Sequence, residues 1–252
     1  MSDAGMRHSS SARAPRPESL LMPSDQTADL PALLARLRAC RTCRDAPVQG
    51  APLPHEPRPI IQADARARIC IASQAPGNRA HVKGLPFHDP SGVRLRDWLG
   101  LDETRFYDPA LVAIVPMGHC FPGYDAKGGD LPPRRECARL WRAPVFARLP
   151  RLDLILTIGI YAQRHHLGPR MRGGLTQTVR DWRAILEAPR APGEPRILPL
   201  PHPSWRNNGW LRRNPWFEDE LLPVLRREVA ALVGRVGPMT GDCPPPRDEE
   251  RA

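Results

Sequence analysis

Arg68-Ile69-Cys70-Ile71-Ala72-Ser73-Gln74-Ala75-Pro76-Gly77 is the stretch whose reading decides the fold. Ile69 to Ala72 is a β-rich apolar run, long enough for a buried strand. It stops at Gln-Ala-Pro-Gly because Pro lacks a backbone donor and Gly admits dihedrals closed to other residues. Such an ending presents backbone N–H groups and one polar side chain, Gln74, at the strand's carboxyl end, where open α/β sheets take their ligands. Further on, Gly84-Leu85-Pro86-Phe87 reads as a rigid turn that offers one aromatic ring. A flat ring facing a donor-rich loop is a seat for a planar heterocycle.

Three more strands are predicted: Leu111 to Met117, Leu152 to Ile158 and Arg196 to Leu200. Helical spacing marks Leu30 to Leu37, Ser91 to Leu101 (Val93, Leu95 and Trp98 facing inward), Arg134 to Ala147, Tyr161 to Leu167 and Glu218 to Val233. Four strands alternating with helices predict an α/β fold, a three-layer α/β/α sandwich around a four-stranded parallel sheet. Pro-rich 44–66 and Gly/Pro-rich 118–133 read as loops. Residues 1–28, rich in Ser, Ala, Arg and Pro without periodicity, are expected to be a disordered basic arm, 29–235 the domain, and 236–252 a disordered tail.

The chain has 37 Lys+Arg against 27 Asp+Glu, a net charge of +10, which favours a polyanionic partner such as DNA or RNA. No apolar run approaches the ~18 residues of a membrane span, and no signal-peptide core is evident, so a cytoplasmic location is expected. In a reducing compartment metal ligation outranks disulfides. Cys40 and Cys43 stand as C-x2-C, and Cys120 and Cys137 bracket the Gly/Pro loop, a pattern that points to a four-thiolate site for zinc or an iron–sulfur cluster. Cys70 reads as core, and Cys243 falls in the tail.

His202-Pro203-Ser204 follows the fourth strand and so shares a sheet edge with the Gln74 loop. A histidine there can donate to a developing oxyanion if it holds the right tautomer. After it, Trp205-Arg206-Asn207-Asn208-Gly209-Trp210-Leu211-Arg212-Arg213 interleaves aromatics and Leu with arginines, a pattern suited to stacking on bases, wedging a base step and holding phosphates.

Gln-Ala-Pro-Gly after a strand, Gly-x-Pro-Phe beyond it and His-Pro-Ser after the last strand resemble the uracil-DNA glycosylase superfamily. The cysteine framework is similar to its iron–sulfur branch, the family four enzymes. The resemblance spans about residues 30–235. It implies a uracil-DNA glycosylase that initiates base excision repair, acts on uracil-containing DNA, single- or double-stranded, and works as a monomer. Gln74, Ala75, Pro76 and Gly77 would cradle the base and the reacting sugar, Gln74 as part of the catalytic loop. Phe87 would stack on the flipped base, His202 would donate to uracil O2, and Ser204 would help hold a phosphate. Arg206, Trp210, Leu211, Arg212 and Arg213 would meet the DNA. Cys40, Cys43, Cys120 and Cys137 would hold a [4Fe-4S] cluster, with zinc as the other occupant.

The sequence also departs from that pattern. Ala75 stands where the best-known branch has an aspartate, and Gln74 where family four commonly has a glutamate. The asparagine expected near the end of the second strand is absent from Ala113-Ile114-Val115-Pro116-Met117, and His81 replaces an acidic residue. Asp89 and Asp108 are the remaining candidates for activating water. A non-catalytic nucleic-acid-binding protein of the same fold is the alternative these departures leave.

Overall fold

A computed structural model describes residues 29–48 and 50–234. The expected basic arm 1–28, the tail 236–252 and Cys243 lie outside the described residues. The strands are β1 (Ile69–Ala72), β2 (Val112–Ile114), β3 (Leu154–Ile158) and β4 (Arg196–Leu200). They form one parallel sheet in the order β2-β1-β3-β4, with Ile71 opposite Ile114 on one side and Leu156 on the other. The chain leaves β1 toward β2, then returns to the opposite side of β1 for β3. The strand order therefore reverses at the carboxyl ends of β1 and β3, the crevice in which open α/β sheets bind ligands.

The helices are α1 (Leu30–Arg38), α2 (Thr42–Asp45), α3 (Asn78–Lys83), α4 (Pro90–Leu99), α5 (Glu103–Tyr107), α6 (Arg135–Phe146), α7 (Ile160–Leu167), α8 (Leu175–Arg180), α9 (Trp182–Leu186), α10 (Asn208–Arg213) and α11 (Leu222–Val233). Successive strand residues face opposite ways, so both faces of the sheet are apolar. Ile69, Ile71, Leu154, Leu156 and Leu198 pack with Leu95 and Trp98 of α4 and with Leu225 and Val229 of α11. Cys70, Ala72, Ala113, Ile155 and Ile197 pack on the other face with Leu33 and Leu37 of α1, Val145 of α6 and Ala162 of α7. The three-layer sandwich is thus the observed architecture.

Several bounds differ from the sequence expectation, for local reasons. Strand β2 is shorter than Leu111–Met117 because Pro116 interrupts it, yet the Val115 and Met117 N–H groups still donate to Ile71 and Ser73. Helix α11 begins at Leu222 rather than Glu218, because Pro223 has no N–H for the preceding turn; residues Phe217–Leu221 form a single π-type turn instead. Val93 is 60 % exposed rather than inward. It stands two positions from Leu95, on the opposite side of α4 at 3.6 residues per turn. Among the described residues no helix is long and apolar enough to cross a membrane.

Candidate active site

A cleft of about 380 Å3 opens at the carboxyl ends of the strands, within the size range of small-molecule sites. Its wall brings together Ala75, Pro76 and Gly77 from the loop after β1, Phe87 and Asp89 from the segment before α4, and His202, Ser204 and Arg206 from the segment after β4. These come from three distant parts of the chain that the parallel sheet delivers to one edge. Gln74 does not line the cleft. Its side-chain N–H donates to the Leu131 carbonyl at 3.4 Å and its own carbonyl accepts from Gly118 at 2.9 Å, so it braces the loop from behind.

The tautomer of His202 follows from its partners. Nδ1 accepts from the Ser204 backbone N–H at 3.2 Å, which leaves the proton on Nε2. Burial lowers its pKa below the ordinary histidine value, with Asp89 opposing that shift, so the ring is neutral at pH 7. Asn207 ties the His202 carbonyl down at 2.7 Å. Ser204 Oγ accepts from the Arg206 N–H at 3.2 Å, capping the 3-10 turn Trp205–Asn207 and leaving its own O–H to donate. Arg94 of α4 reaches the Ser204 carbonyl at 3.3 Å and Asn208 Oδ1 at 2.8 Å, which fixes this segment against the body. The result is an oriented, neutral N–H donor in a partly enclosed site.

Phe87 has φ 53°, left-handed backbone that a bulky residue adopts at a cost of about 1–3 kcal/mol. The surroundings over-determine it. Gly92 is obligatory, since a Cβ there would lie 1.7 Å from the Phe87 carbonyl oxygen. The Tyr107 hydroxyl donates to the Pro86 carbonyl at 3.0 Å, and Phe106 meets the Phe87 ring edge-on at 6.3 Å. The ring is partly buried, packed against the core on one side and lining the cleft on the other.

Of the two carboxylates singled out in the sequence, Asp89 lines the cleft and Asp108 does not. Asp108 accepts from the Ala110 N–H in the turn before β2. Asp89 also caps α4 by accepting from Gly92 at 3.0 Å, which points one oxygen inward and leaves the other available. Where the family pattern expects an asparagine, Ile114 and Pro116 make an apolar wall. His81 lies away from the cleft, edge-on to His55 at 4.6 Å.

Sequence reasoning missed Asn78, Arg79, Tyr124 and Asp130, which also line the cleft. Tyr124 and Asp130 pair as an antiparallel bridge, closing a small hairpin in which Asp125 accepts from the N–H groups of Lys127 and Gly129 at 2.8 Å. Burial raises the Asp130 pKa while Arg206 opposes the shift. The signal was the Asp-x-x-Gly-Gly turn at 125–129, which marks a hairpin rather than an irregular loop.

The basic segment after Ser204 is helical rather than a loop. Arg206 lines the cleft, whereas Trp210 and Leu211 are half-buried against the core. The Trp210 indole N–H donates to Thr176 at 2.8 Å, and its ring meets Trp216 and Phe217 at 5.8 and 5.7 Å. Helix α10 thus turns both side chains partly toward the domain. Arg212 and Arg213 stay exposed.

Cys40, Cys43, Cys120 and Cys137 line a second, enclosed cavity with Leu37, Pro57, Pro59, Leu140 and Trp141. All four are free thiols. Burial pushes Cys43 and Cys120 up to about 12 and Cys137 well above its ordinary value, so a metal centre would have to draw their protons off. Among the described residues no group of three or more His, Cys, Asp or Glu is arranged to hold a metal ion. The donor set nonetheless suits a cluster. The His119 backbone N–H points at Cys137 Sγ at 3.2 Å, and Trp141 Nε1, on the chamber wall, has no partner. Four thiols, apolar walls, one N–H donor to sulfur and a second unpartnered N–H on the wall are parts such a group would use.

A strained aromatic, a tautomer-locked histidine and a carboxylate thus share one cleft at the switch point of an α/β sheet. Comparison with known families matches residues 61–226 to the Uracil DNA glycosylase superfamily. The match covers more than half of the chain, and the protein belongs to that superfamily. Membership supports an enzyme of the DNA glycosylase type with DNA as its partner. Cys120 and Cys137 fall inside the matched span, and Cys40 and Cys43 precede it.

Proposed function

We propose that this protein hydrolyses the N-glycosidic bond of uracil in DNA, with other deaminated bases as further substrates, and so begins base excision repair. One observation carries the reading: a neutral imidazole, its Nδ1 occupied by the Ser204 N–H, shares a cleft with the strained Phe87 ring and the Ala75–Gly77 loop. A structural histidine closing a strand would need none of these partners.

Flipping the base out of the stack costs a few kcal/mol, least for mispaired or single-stranded targets. Phe87 stacks on the flipped base, and the Ser204 hydroxyl and Arg206 hold the neighbouring phosphates. The bond from C1′ to the base then breaks, its electron pair passing to the base as an oxocarbenium-like sugar forms. His202 Nε2–H donates to O2 as that charge grows, a contribution of roughly 3–4 kcal/mol for one well-aimed donor. Asp89 faces the cationic sugar and takes the proton of the attacking water, whose oxygen bonds C1′. The proton taken by Asp89 then passes through solvent to the departing uracil anion, so free uracil and an abasic site result and Asp89 is restored.

For the chamber, a [4Fe-4S] cluster on Cys40, Cys43, Cys120 and Cys137 is the reading we favour over zinc, since the cysteine framework resembles that of the iron–sulfur branch and the four thiols line one cavity. When bound it would tie the Cys40–Cys43 segment at α2 to the 118–133 loop and to α6, and supply no chemistry to the cleft. The family four assignment rests on this cysteine set. The experiment is incubation of the full chain with an oligonucleotide bearing one uracil, followed by alkaline cleavage of abasic sites. Strand breaks confined to the uracil position support the function; intact strands under single-turnover conditions refute it.

A further inference from the structure

We propose that Tyr124 and Trp205 form a stacking clamp at the mouth of the cleft that takes the bases flanking the flipped nucleotide in single-stranded DNA. The inference rests on the reading of the cleft as a base site and specifies the strand it favours.

Among the described residues, the large hydrophobic side chains exposed by half or more are three valines and two aromatics, Tyr124 at 53 % and Trp205 at 70 %. Both aromatics line the cleft. They reach it from separate segments, Tyr124 from the hairpin between Gly123 and Leu131 and Trp205 from the 3-10 turn after Ser204. Phe121 backs the Tyr124 ring edge-on at 4.9 Å, and the Arg206 guanidinium lies 5.8 Å from the Trp205 ring centroid. Arg206 also donates to the Gly128 carbonyl at 3.4 Å, joining the two segments. Two flat apolar faces kept in water beside Arg79 and Arg206 form an aromatic-and-cation surface of the kind that binds unpaired nucleotides.

The choice of strand follows from a contrast. In a duplex the neighbours of a flipped base remain paired, and the gap it leaves calls for an apolar wedge. Trp210 and Leu211, the residues of suitable type in the adjoining helix, are engaged with the core. Exposed rings that replace lost stacking serve a strand whose bases are free.

The test uses the full chain, Tyr124→Ala, Trp205→Ala, the double variant and the conservative pair Tyr124→Phe and Trp205→Phe. The probe is a fluorescent oligonucleotide with a central tetrahydrofuran abasic analogue, single-stranded or annealed, read by anisotropy. The double Ala variant should lose at least about tenfold in affinity for the single strand, from base–aromatic stacking, and less than about twofold for the duplex. The Phe variants should bind like wild type, and melting temperatures should match. Equal losses on both forms, or none, would overturn the clamp. Because the probe needs no cleavage, a clamp effect in a protein that excises no uracil would sink the function and leave this surface standing. Uracil excision with an unaltered single-strand preference in the double variant would do the reverse.

Discussion

The cleft and the cysteine chamber lie on either side of the 118–133 loop and present opposite surfaces. The cleft opens to solvent between Asp89, Asp130, Arg79 and Arg206, and its key groups are aimed by backbone: Ser204 N–H on His202, Gly92 beneath Phe87. The chamber is closed and apolar, and its sulfurs lie among Leu37, Leu140 and two prolines. Charge can develop in the first at little cost because donors already point inward. In the second, burial holds Cys43, Cys120 and Cys137 neutral, so a positive centre would be needed to make them stable as anions. On the function proposed above, the first region would stabilise a transient state and the second would hold a permanent group. Changes to the two should therefore separate rate from stability.

The largest effect is expected at His202. His202→Ala should slow single-turnover cleavage by roughly 10²–10³-fold, the usual cost of one oxyanion donor, with little change in affinity for abasic DNA or in melting temperature. Protonating Nδ1 would break the Ser204 bond, and burial lowers the ring's pKa, so the His202-dependent rate should stay level at neutral pH and fall only at pH more acid than an ordinary histidine requires. A combined loss of rate, binding and stability would make the histidine structural and erase the contrast.

Phe87→Ala comes next, with a loss of about 1–3 kcal/mol in stacking, while Phe87→Tyr keeps most activity. Wild-type behaviour of both in single-turnover cleavage would move the ring out of the base site. In the chamber, Cys43→Ser with Cys137→Ser should remove a brown iron–sulfur absorbance and lower the melting temperature while changing the chemical step of the folded fraction by less than about threefold. A colourless wild-type protein with stoichiometric zinc, prepared anaerobically, would replace the cluster and keep the four-thiol site. The smallest effect belongs to the rim. Replacing Arg206, Arg212 and Arg213 by Gln should flatten the salt dependence of single-strand binding by roughly 2 in log–log slope, about 0.7 per phosphate contact. An unchanged slope would take this segment off the DNA.

The same contrast explains what the sequence disclosed. The bounds of β1 and β4 were legible to the residue, because a strand buried on both faces is a continuous apolar run that ends where Pro, Gly or Asn begins a loop. His202, Phe87 and the Ala75–Gly77 loop were legible because they sit at strand ends or in rigid turns whose place follows from parallel topology. The short helices α3, α5, α8, α9 and α10 were not, being too brief to display an apolar period. Tyr124 and Asp130 were missed for a different reason. The Asp-x-x-Gly-Gly turn marks their hairpin, but its position at the cleft beside Arg206 depends on contacts between segments far apart in sequence, which no local pattern encodes. Nor did local pattern disclose that α10 packs Trp210 against Phe217 and Leu211 against the core.

The most direct test follows both products of one reaction. Excess full-length protein is mixed with a single-stranded oligonucleotide bearing one uracil, and with a matched strand bearing cytosine, and the free base and the residual strand are identified by mass spectrometry. The account predicts free uracil and an abasic strand in equal amounts, none from the cytosine strand, and formation slowed at least about a hundredfold in His202→Ala. A protein that binds the uracil strand yet releases no base, or a His202→Ala variant that releases it at the wild-type rate, would contradict it.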